Sequence, residues 1–225
     1  MIVLGLTGSI GMGKSTAARA FASLGAACWD ADQAVHELMK PGGIAVAAVA
    51  ESFPGVVSRT NGEAMIDRQA LGSAVFNNTD ALARLEGILH PLLRVRERSF
   101  LQAAQFRRLK MVVLDIPLLF ETGGQTRCDA TAVVSAPGFI QAQRVMARPG
   151  MTAEKFAGIL GRQMSDAEKR RRADFVIHTG LDRASSLRAI TAVVEVLNHQ
   201  AGACWPRAWP LHQAIHSTAD ELPHA

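Results

Sequence analysis

The chain has 225 residues, of which 48% are hydrophobic and 20% charged, a composition typical of an ordinary globular protein and not of a disordered one. No apolar run approaches the ~20 residues of a membrane-spanning helix, so we expect a cytoplasmic protein with no membrane partner. The formal net charge is only +4 and the basic run 169–172 is short, which favours a solvated helix face or attraction of small polyanions over binding of nucleic acid.

A glycine-rich segment follows the first predicted strand, residues 2–6. Gly8–Thr16 matches the pattern GxxxxGK[ST], in which the fixed positions are Gly8, Gly13, Lys14 and Ser15. Helix-forming residues follow, so the strand, loop and helix that the motif requires are all present. The glycines let N–H groups face phosphate oxygens, Lys14 can reach the β- and γ-phosphates, and the Ser15 hydroxyl can ligate Mg²⁺. We therefore expect a nucleoside triphosphate, ATP or GTP, at this loop.

Two carboxylates stand at the end of the second predicted strand, residues 26–29. Asp30 and Asp32 lie at its carboxyl end, which is the edge where open α/β sheets bind ligands. One interpretation is that an aspartate caps the following helix, 33–39, and another is that one of them is catalytic. Both can hold, because one aspartate can cap the helix while the other faces the phosphate loop.

The segment 41–108 shows no clear strand and predicts a helical insertion between two strands of the sheet. We expect helices over 44–53, 68–76 and 79–106. The last contains His90-Pro91, where the proline must kink or restart the helix. His90 either binds a substrate anion or caps the kink, and the sequence does not decide between the two.

A third strand, Met111–Asp115, ends in an acid that can ligate or water-bridge Mg²⁺ beside the phosphate loop. The segment 116–121 then leaves the sheet and contains Leu118. Its last residue, Glu121, is either a site residue or a first-turn helix acid, and we favour the helix acid.

A fourth strand is predicted over 130–134, with a helix over 141–148 after it. Arg144 and Arg148 are four residues apart and would share one face of that helix. Arginines so placed usually face solvent, but mobile arginine-bearing segments also close over transferring phosphates in phosphate-loop proteins.

The remaining predicted elements complete an alternating α/β pattern. A helix covers 152–163, Ser165 and Glu168 have the spacing of a capping box, and 174–177 is a short fifth strand. Asp182 opens a last helix that we expect to pack on the sheet.

The chain changes character from residue 200 onward. Trp205 and Trp209 predict docking on an apolar surface, and His212 and His216 have metal-ligand spacing only if that stretch is helical. The three cysteines are an odd number without CxxC spacing, which predicts reduced thiols and argues against a disulfide framework or a zinc site.

Taken in order, these motifs resemble those of the dephospho-coenzyme A kinases. The resemblance covers roughly residues 1–198 and depends on the order and spacing of six motifs: the phosphate loop, Asp30-Ala31-Asp32, His90-Pro91, 117–121, the arginine helix and Ala173-Asp174.

The resemblance implies an α/β, three-layer P-loop NTPase fold with a five-stranded parallel sheet, a helical insertion for the substrate and a lid. The implied kinase core is 1–32 and 109–198 with a lid at about 144–165, the coenzyme A-binding insertion is 33–108, and 199–225 is a tail. The implied reaction moves the γ-phosphate of ATP to the ribose 3′-hydroxyl of dephospho-coenzyme A, with Mg²⁺, as the last step of coenzyme A synthesis.

The pattern and the resemblance together give a set of expected site residues. They are Gly8, Gly11, Met12, Gly13, Lys14, Ser15 and Thr16 for ATP; Lys14, Asp32, Arg144 and Arg148 for catalysis; Asp32, His90, Arg94 and Leu118 for the acceptor; and Ser15, with Asp115, for Mg²⁺.

Two features of the chain depart from the family pattern. Thr179 stands where an asparagine is usual, which puts a nucleotide-side contact in doubt, and the tail has no counterpart. Two other functions are alternatives to the one that the resemblance implies. One is another phosphate-loop kinase, acting on a nucleoside monophosphate or small metabolite, and the other is a nucleotide-dependent switch. The chain lacks the Asn-Lys-x-Asp signature of guanine-binding switches.

Overall fold

A computed structural model describes residues 1–60, 62–76 and 78–209, and its centre is a five-stranded parallel sheet with strand order β2-β5-β1-β6-β7. This confirms the predicted α/β fold with its five-stranded parallel sheet. Two further strands, β3 and β4, form a separate antiparallel pair. The strands are β1 Ile2–Thr7, β2 Ala27–Asp30, β3 Val57–Thr60, β4 Glu63–Ile66, β5 Met111–Asp115, β6 Ala130–Ser135 and β7 Phe175–His178.

Helices cover both faces of the five-stranded sheet. They are α1 Lys14–Ser23, α2 Ala31–Met39, α3 Val46–Ser52, α4 Arg68–Val75, α5 Thr79–Phe106, α6 Gly138–Met146, α7 Ala153–Leu160, α8 Asp166–Arg172 and α9 Arg183–Asn198, with a 3-10 turn at Gly124–Arg127. On one face, Phe21 of α1 and Leu197 of α9 are fully buried with the side chains of β1 and β6. On the other, Leu101 of α5 is buried with Val112 and Leu114 of β5.

The strand register brings the acids of two strands to one edge of the sheet. Asp115 of β5 is paired with Leu6 on one side and with Asp30 of β2 on the other. Because all these strands are parallel, their carboxyl ends lie beside the loop that leaves β1, which is where α/β sheets bind ligands.

The segment between β2 and β5 is not purely helical, so the expectation that it lacks strands was wrong. The hairpin β3–β4 lies within it and pairs Val57 with Ile66. Asn61-Gly62 separates the strands, a dipeptide typical of tight hairpins, and Gly62 has φ +86°. The strands were missed because each is only four residues long and β3 is mostly exposed.

Helix α5 runs without interruption through Pro91, so of the two expected effects of this proline, a kink or a restart of the helix, the restart does not occur. The proline lacks an N–H and leaves one helical hydrogen bond unmade, but the rest of the helix is well packed. Leu85 and Leu89 are buried in the insertion's own core, whereas Leu101 and Ala104 are buried against the sheet. One helix thus joins the insertion to the central sheet.

The described part of the tail, residues 199–209, packs on the α5 face of the sheet, which confirms the predicted docking of its tryptophans. Trp205 and Trp209 are buried, with ring centroids 5.8 Å apart. Trp205 Nε1 donates to Gln105 Oε1 at 2.7 Å, and Asp129 Oδ1 accepts from the Cys204 amide at 2.8 Å. His212 and His216 lie outside the described residues.

Among the described helices, none is both long and apolar enough to cross a bilayer.

Candidate active site

A cleft of about 1160 Å³ opens at the carboxyl edge of the sheet, above the phosphate loop. The loop and the start of α1 form one side, with residues of α2, α6, α7 and α9 around them. The lining includes Lys14, Asp32, Arg144, Arg148, Gln163 and Thr179. The structure therefore gathers all the predicted ATP-binding residues and all four predicted catalytic residues into one cleft.

The loop owes its shape to glycines in the left-handed region of backbone space. Gly11 has φ +78° and Gly13 has φ +91°. At Gly11 a Cβ atom would lie 2.5 Å from Val145 Cγ2, so a side chain there is excluded by contact as well as by conformation. Helix α1 begins at Lys14, which places its free N–H groups and positive dipole end at the loop.

Lys14 and Asp115 form an ion pair on the floor of the cleft. The Lys14 ammonium contacts Asp115 Oδ1, and the two side chains are 16% and 4% exposed. Burial raises the pKa of Asp115, the charge of Lys14 opposes this rise, and the nearby carboxylates of Asp30 and Asp32 add to it. A crowded group of acids thus surrounds the one lysine of the phosphate motif.

The two aspartates that follow β2 have separate roles in the structure. Asp30 caps helix α2, because its Oδ1 accepts from the Gln33 amide at 2.9 Å. Asp32 lies in the first turn of α2, is exposed and lines the cleft. Of the two alternatives left open by the sequence, the cap therefore belongs to Asp30, and the carboxylate available to a substrate is that of Asp32.

Arg144 and Arg148 both line the cleft, but they do not share a helical face as expected. Helix α6 ends at Met146, so Arg148 lies beyond it. Arg144 Nη2 donates to Thr179 O at 2.6 Å, which holds that guanidinium against the end of β7. The exposed Arg148 side chain makes no hydrogen bond or ion pair with the described residues.

The segment after α6 spans from the phosphate loop to the insertion. Gln163 Oε1 accepts from the Ile10 amide at 3.1 Å, so the end of this segment touches the loop tip. The Arg162 guanidinium carbon lies 4.6 Å from the centroid of the Phe76 ring, which belongs to the insertion. The predicted lid region is therefore in contact with both sides of the cleft.

Glu121 anchors the base of that lid segment, so its interpretation as a first-turn helix acid was wrong. Its Oε1 accepts from the Met164 amide at 2.8 Å and pairs with Lys169 Nζ at 2.9 Å. Lys169 is fully buried and also donates to Pro117 O at 2.9 Å. The ion pair ties α8 to the segment that leaves β5, away from the cleft lining.

The residues expected on the acceptor side are not part of the cleft lining. His90 and Arg94 are exposed on α5, and Leu118 is 39% exposed in the segment after β5. His90 does not cap a helix break, since α5 is continuous there. The structure thus brings the nucleotide-side residues together and leaves His90, Arg94 and Leu118 outside them.

Sequence reasoning did not assign four polar residues that the structure places at the loop or the lid: Gln141, Gln163, Thr179 and Lys169. Thr179 was noted only as a departure from a family pattern, and Gln163 only as the end of a predicted helix. Lys169 was read as part of a solvated basic run. A single polar residue far along the chain carries no local signal, because its partner is decided by the fold.

The donors in the cleft suit magnesium bound together with phosphate. The exposed Ser15 hydroxyl stands at the start of α1, and Asp32 offers a carboxylate. Hard oxygen donors of this kind are those that Mg²⁺ prefers, and Mg²⁺ usually keeps waters and substrate phosphates among its ligands. Among the described residues, no three His, Cys, Asp or Glu side chains form an all-protein metal site.

Comparison with known proteins identifies the family. Residues 2–182 match the family model for dephospho-CoA kinase. A dephospho-CoA kinase of Rhodospirillum rubrum is 56% identical over 191 residues, which cover 85% of this chain and 89% of the relative. One from Mesorhizobium japonicum is 48% identical over 203 residues, covering 90% of this chain and all of the relative. The crystal structure of TT1252 from Thermus thermophilus has a TM-score of 0.73 and 33% identity, covering 89% of this chain and 98% of that one. The chain belongs to the dephospho-CoA kinase family.

Proposed function

We propose that this protein transfers the γ-phosphoryl group of ATP to the ribose 3′-hydroxyl of dephospho-CoA, giving CoA and ADP in the last step of CoA synthesis. The observation that carries the proposal is that Lys14, the loop amides and the carboxylate of Asp32 meet in one cleft. Family membership supports the choice of acceptor.

ATP binds with its phosphates on the loop. The amides of the loop and the start of α1 contact the phosphate oxygens, and Lys14 exchanges its bond to Asp115 for the β- and γ-phosphates. Asp115 stays beside the lysine as its counter-charge when no nucleotide is bound. The Ser15 hydroxyl and one carboxylate, that of Asp32 or Asp115, would hold Mg²⁺, which would supply charge neutralisation at the phosphates.

Asp32 orients the acceptor. Its carboxylate accepts a hydrogen bond from the 3′-hydroxyl and takes the proton as the hydroxyl oxygen attacks the γ-phosphorus. The bond between that phosphorus and the β,γ-bridging oxygen breaks, and ADP leaves with the electron pair. Little covalent chemistry is required of the protein, because positioning and charge stabilisation supply most of the rate.

Arg144 and Arg148 contribute differently. Arg148 is exposed and unpaired among the described residues, so its guanidinium is free to reach the transferring phosphoryl group. Arg144 is held by the Thr179 carbonyl and acts from the side of the loop.

The acceptor is long, and the part of it beyond the ribose extends past the cleft toward α5. His90 and Arg94 are one helical turn apart on that helix and carry exposed side chains that can meet its phosphates. Leu118, partly exposed after β5, offers apolar contact to the same molecule. The substrates are thus two small molecules, and a cytoplasmic location agrees with three cysteines that are all free.

Release of ADP, measured with and without dephospho-CoA, tests the proposal. Release that requires dephospho-CoA, together with a product one phosphate heavier by mass spectrometry, is the expected result. Release that needs a different acceptor would favour another small-molecule kinase, and nucleotide binding with no acceptor-dependent release would favour a switch. Lys14→Ala is the control for contaminating kinases, because its preparation should show neither release nor product.

A further inference from the structure

Three consecutive carbonyl groups of the phosphate loop are each held by a side chain from the far half of the chain. Ile10 O accepts from Gln141 Nε2 at 2.8 Å, Gly11 O accepts from Arg144 Nη1 at 3.5 Å, and Met12 O accepts from Thr179 Oγ1 at 2.5 Å. The partners lie more than 100 residues away in sequence. We call these three side chains the loop clamp.

The loop clamp is itself a connected unit. Gln141 and Arg144 are three residues apart on α6, so they face the loop together. Arg144 Nη1 donates to Thr179 Oγ1 at 3.3 Å and Nη2 donates to Thr179 O at 2.6 Å, which fixes the threonine that follows β7. Gln141 is only 7% exposed, and a Cβ atom at Gly13 would lie 3.3 Å from Thr179 Oγ1. The clamp therefore touches the loop closely along its length.

Peptide geometry gives these contacts a consequence for phosphate binding. In a planar trans peptide the C=O of one residue and the N–H of the next point in opposite directions. Holding the carbonyls of Ile10 and Met12 toward α6 and β7 therefore turns the amides of Gly11 and Gly13 the other way. Neither amide makes a hydrogen bond to a described residue, whereas the Met12 amide bonds to Ser9 O at 3.1 Å within the loop. Free amides that converge in this manner form an anion site.

We propose that Gln141, Arg144 and Thr179 are positioning residues that fix the loop peptides so that the Gly11 and Gly13 amides meet the phosphates of ATP. The proposal deepens the proposed function and rests on it. It assigns Thr179 to the loop backbone and its phosphate ligand, and not to the base or ribose of the nucleotide. The clamp sets the loop in its binding conformation beforehand, so ATP does not have to order it.

Thr179→Val tests the proposal, because valine keeps the shape of threonine and removes its hydroxyl, which donates to Met12 O and accepts from Arg144 Nη1. Binding is measured by calorimetry with two probes, ATP and inorganic tripolyphosphate, which lacks base and sugar. One hydrogen bond is worth about 0.5–1.5 kcal/mol, so both affinities should fall together by roughly 2- to 12-fold. The KM for ATP should rise by the same factor while the KM for dephospho-CoA stays unchanged.

Three variants complete the design. Thr179→Ser keeps the hydroxyl and should restore both affinities to within about twofold of the original protein. Thr126→Val is the matched control, since Thr126 Oγ1 also donates to a backbone carbonyl, that of Gly123 at 2.9 Å, but lies outside the cleft lining. Gln141→Leu removes the donor to Ile10 O and carries the same test if Thr179→Val fails to fold.

Two outcomes overturn the loop clamp. Unchanged tripolyphosphate affinity in Thr179→Val and Gln141→Leu would show that the loop keeps its geometry without these donors. A loss confined to ATP would place Thr179 against the base or ribose. Failure of the proposed function looks different, because the unaltered protein would then bind tripolyphosphate without phosphorylating dephospho-CoA.

Discussion

At the nucleotide end of the cleft, one unbroken stretch, Gly8–Thr16, supplies the loop, the lysine and the start of the helix, whereas at the acceptor end His90 and Arg94 lie on α5 outside the lining. The first end is built by local geometry between β1 and α1. The second depends on how a long helix, anchored in two different cores, is placed against the sheet.

This difference shows which sites can be predicted from a sequence motif and which cannot. A short motif fixes its own backbone, so residues that belong to it lie together in any member of the fold. An acceptor site assembled from distant elements has no such guarantee. Substitutions at the nucleotide end should therefore affect the rate of phosphoryl transfer, and those at the acceptor end should affect the apparent affinity for one substrate.

The largest effect is expected for Arg148→Ala. An arginine that stabilises a transferring phosphoryl group is worth ~10³-fold or more in rate, and Arg148 lines the cleft with a side chain that has no partner in the described part of the chain. Single-turnover kinetics should show that loss with ATP binding retained. Arg107→Ala, at an exposed arginine after α5, is the control and should be neutral. A loss below about threefold would assign Arg148 to the surface, since it is far smaller than a phosphoryl-stabilising arginine supplies.

Asp32→Asn should come next, with a fall in kcat of about 10²- to 10³-fold, because general-base catalysis typically contributes that much. The amide keeps the shape of the side chain and still cannot take a proton from the acceptor hydroxyl. ATP affinity, measured by calorimetry, should change little. Asp30→Asn is the matched control, since Asp30 caps α2 and asparagine caps a helix about as well, so neither the rate nor the stability should change much. Near-normal turnover in Asp32→Asn would remove this residue from the mechanism.

Trp209→Ala tests how α5 is held at the acceptor end. The indole is 3% exposed, donates to Glu97 Oε2 at 3.3 Å and lies under the Arg127 guanidinium at 5.6 Å. Losing a buried tryptophan should lower the free energy of unfolding by about 3–5 kcal/mol, measured by urea denaturation. Phe106→Ala, at a side chain that is 90% exposed, should change it by less than about 0.5 kcal/mol. Similar values for the two variants would show that the tail is not part of the core.

The sequence predicted most of the fold because strands, caps and the phosphate loop are local features. The N-cap at Ser165 is an example: its hydroxyl accepts from the Glu168 amide at 3.2 Å, as the spacing indicated. The second bond of a capping box is not formed, because the Glu168 carboxylate pairs with Arg171 and Arg172. The hairpin β3–β4 was missed because its strands are only four residues long, and its one signal, Asn61-Gly62, was not used.

Contacts between distant polar side chains could not be predicted in the same manner. The partner of Lys169 is Glu121, and its charge was read as part of a solvated run until the fold showed it to be fully buried. Nothing in the sequence around Thr179 indicates that its hydroxyl bonds to the phosphate loop, 167 residues away. For residues such as Lys169 and Thr179 only the tertiary structure identifies the partner, because the local sequence pattern does not depend on which partner the residue has.

The smallest effect is expected at the acceptor end, for His90→Ala and Arg94→Ala. If these exposed side chains meet phosphates of dephospho-CoA, each variant should raise the KM for that substrate by roughly 10-fold, the equivalent of one charge-assisted hydrogen bond. The KM for ATP should not change, because neither residue lines the cleft at the loop. Arg84→Ala, on the same helix but packed over the Phe53 ring at 5.8 Å, separates a substrate contact from a general change in α5. An equal rise in the KM for both substrates would mean that α5 acts on the whole cleft, and the two ends would then not be independent.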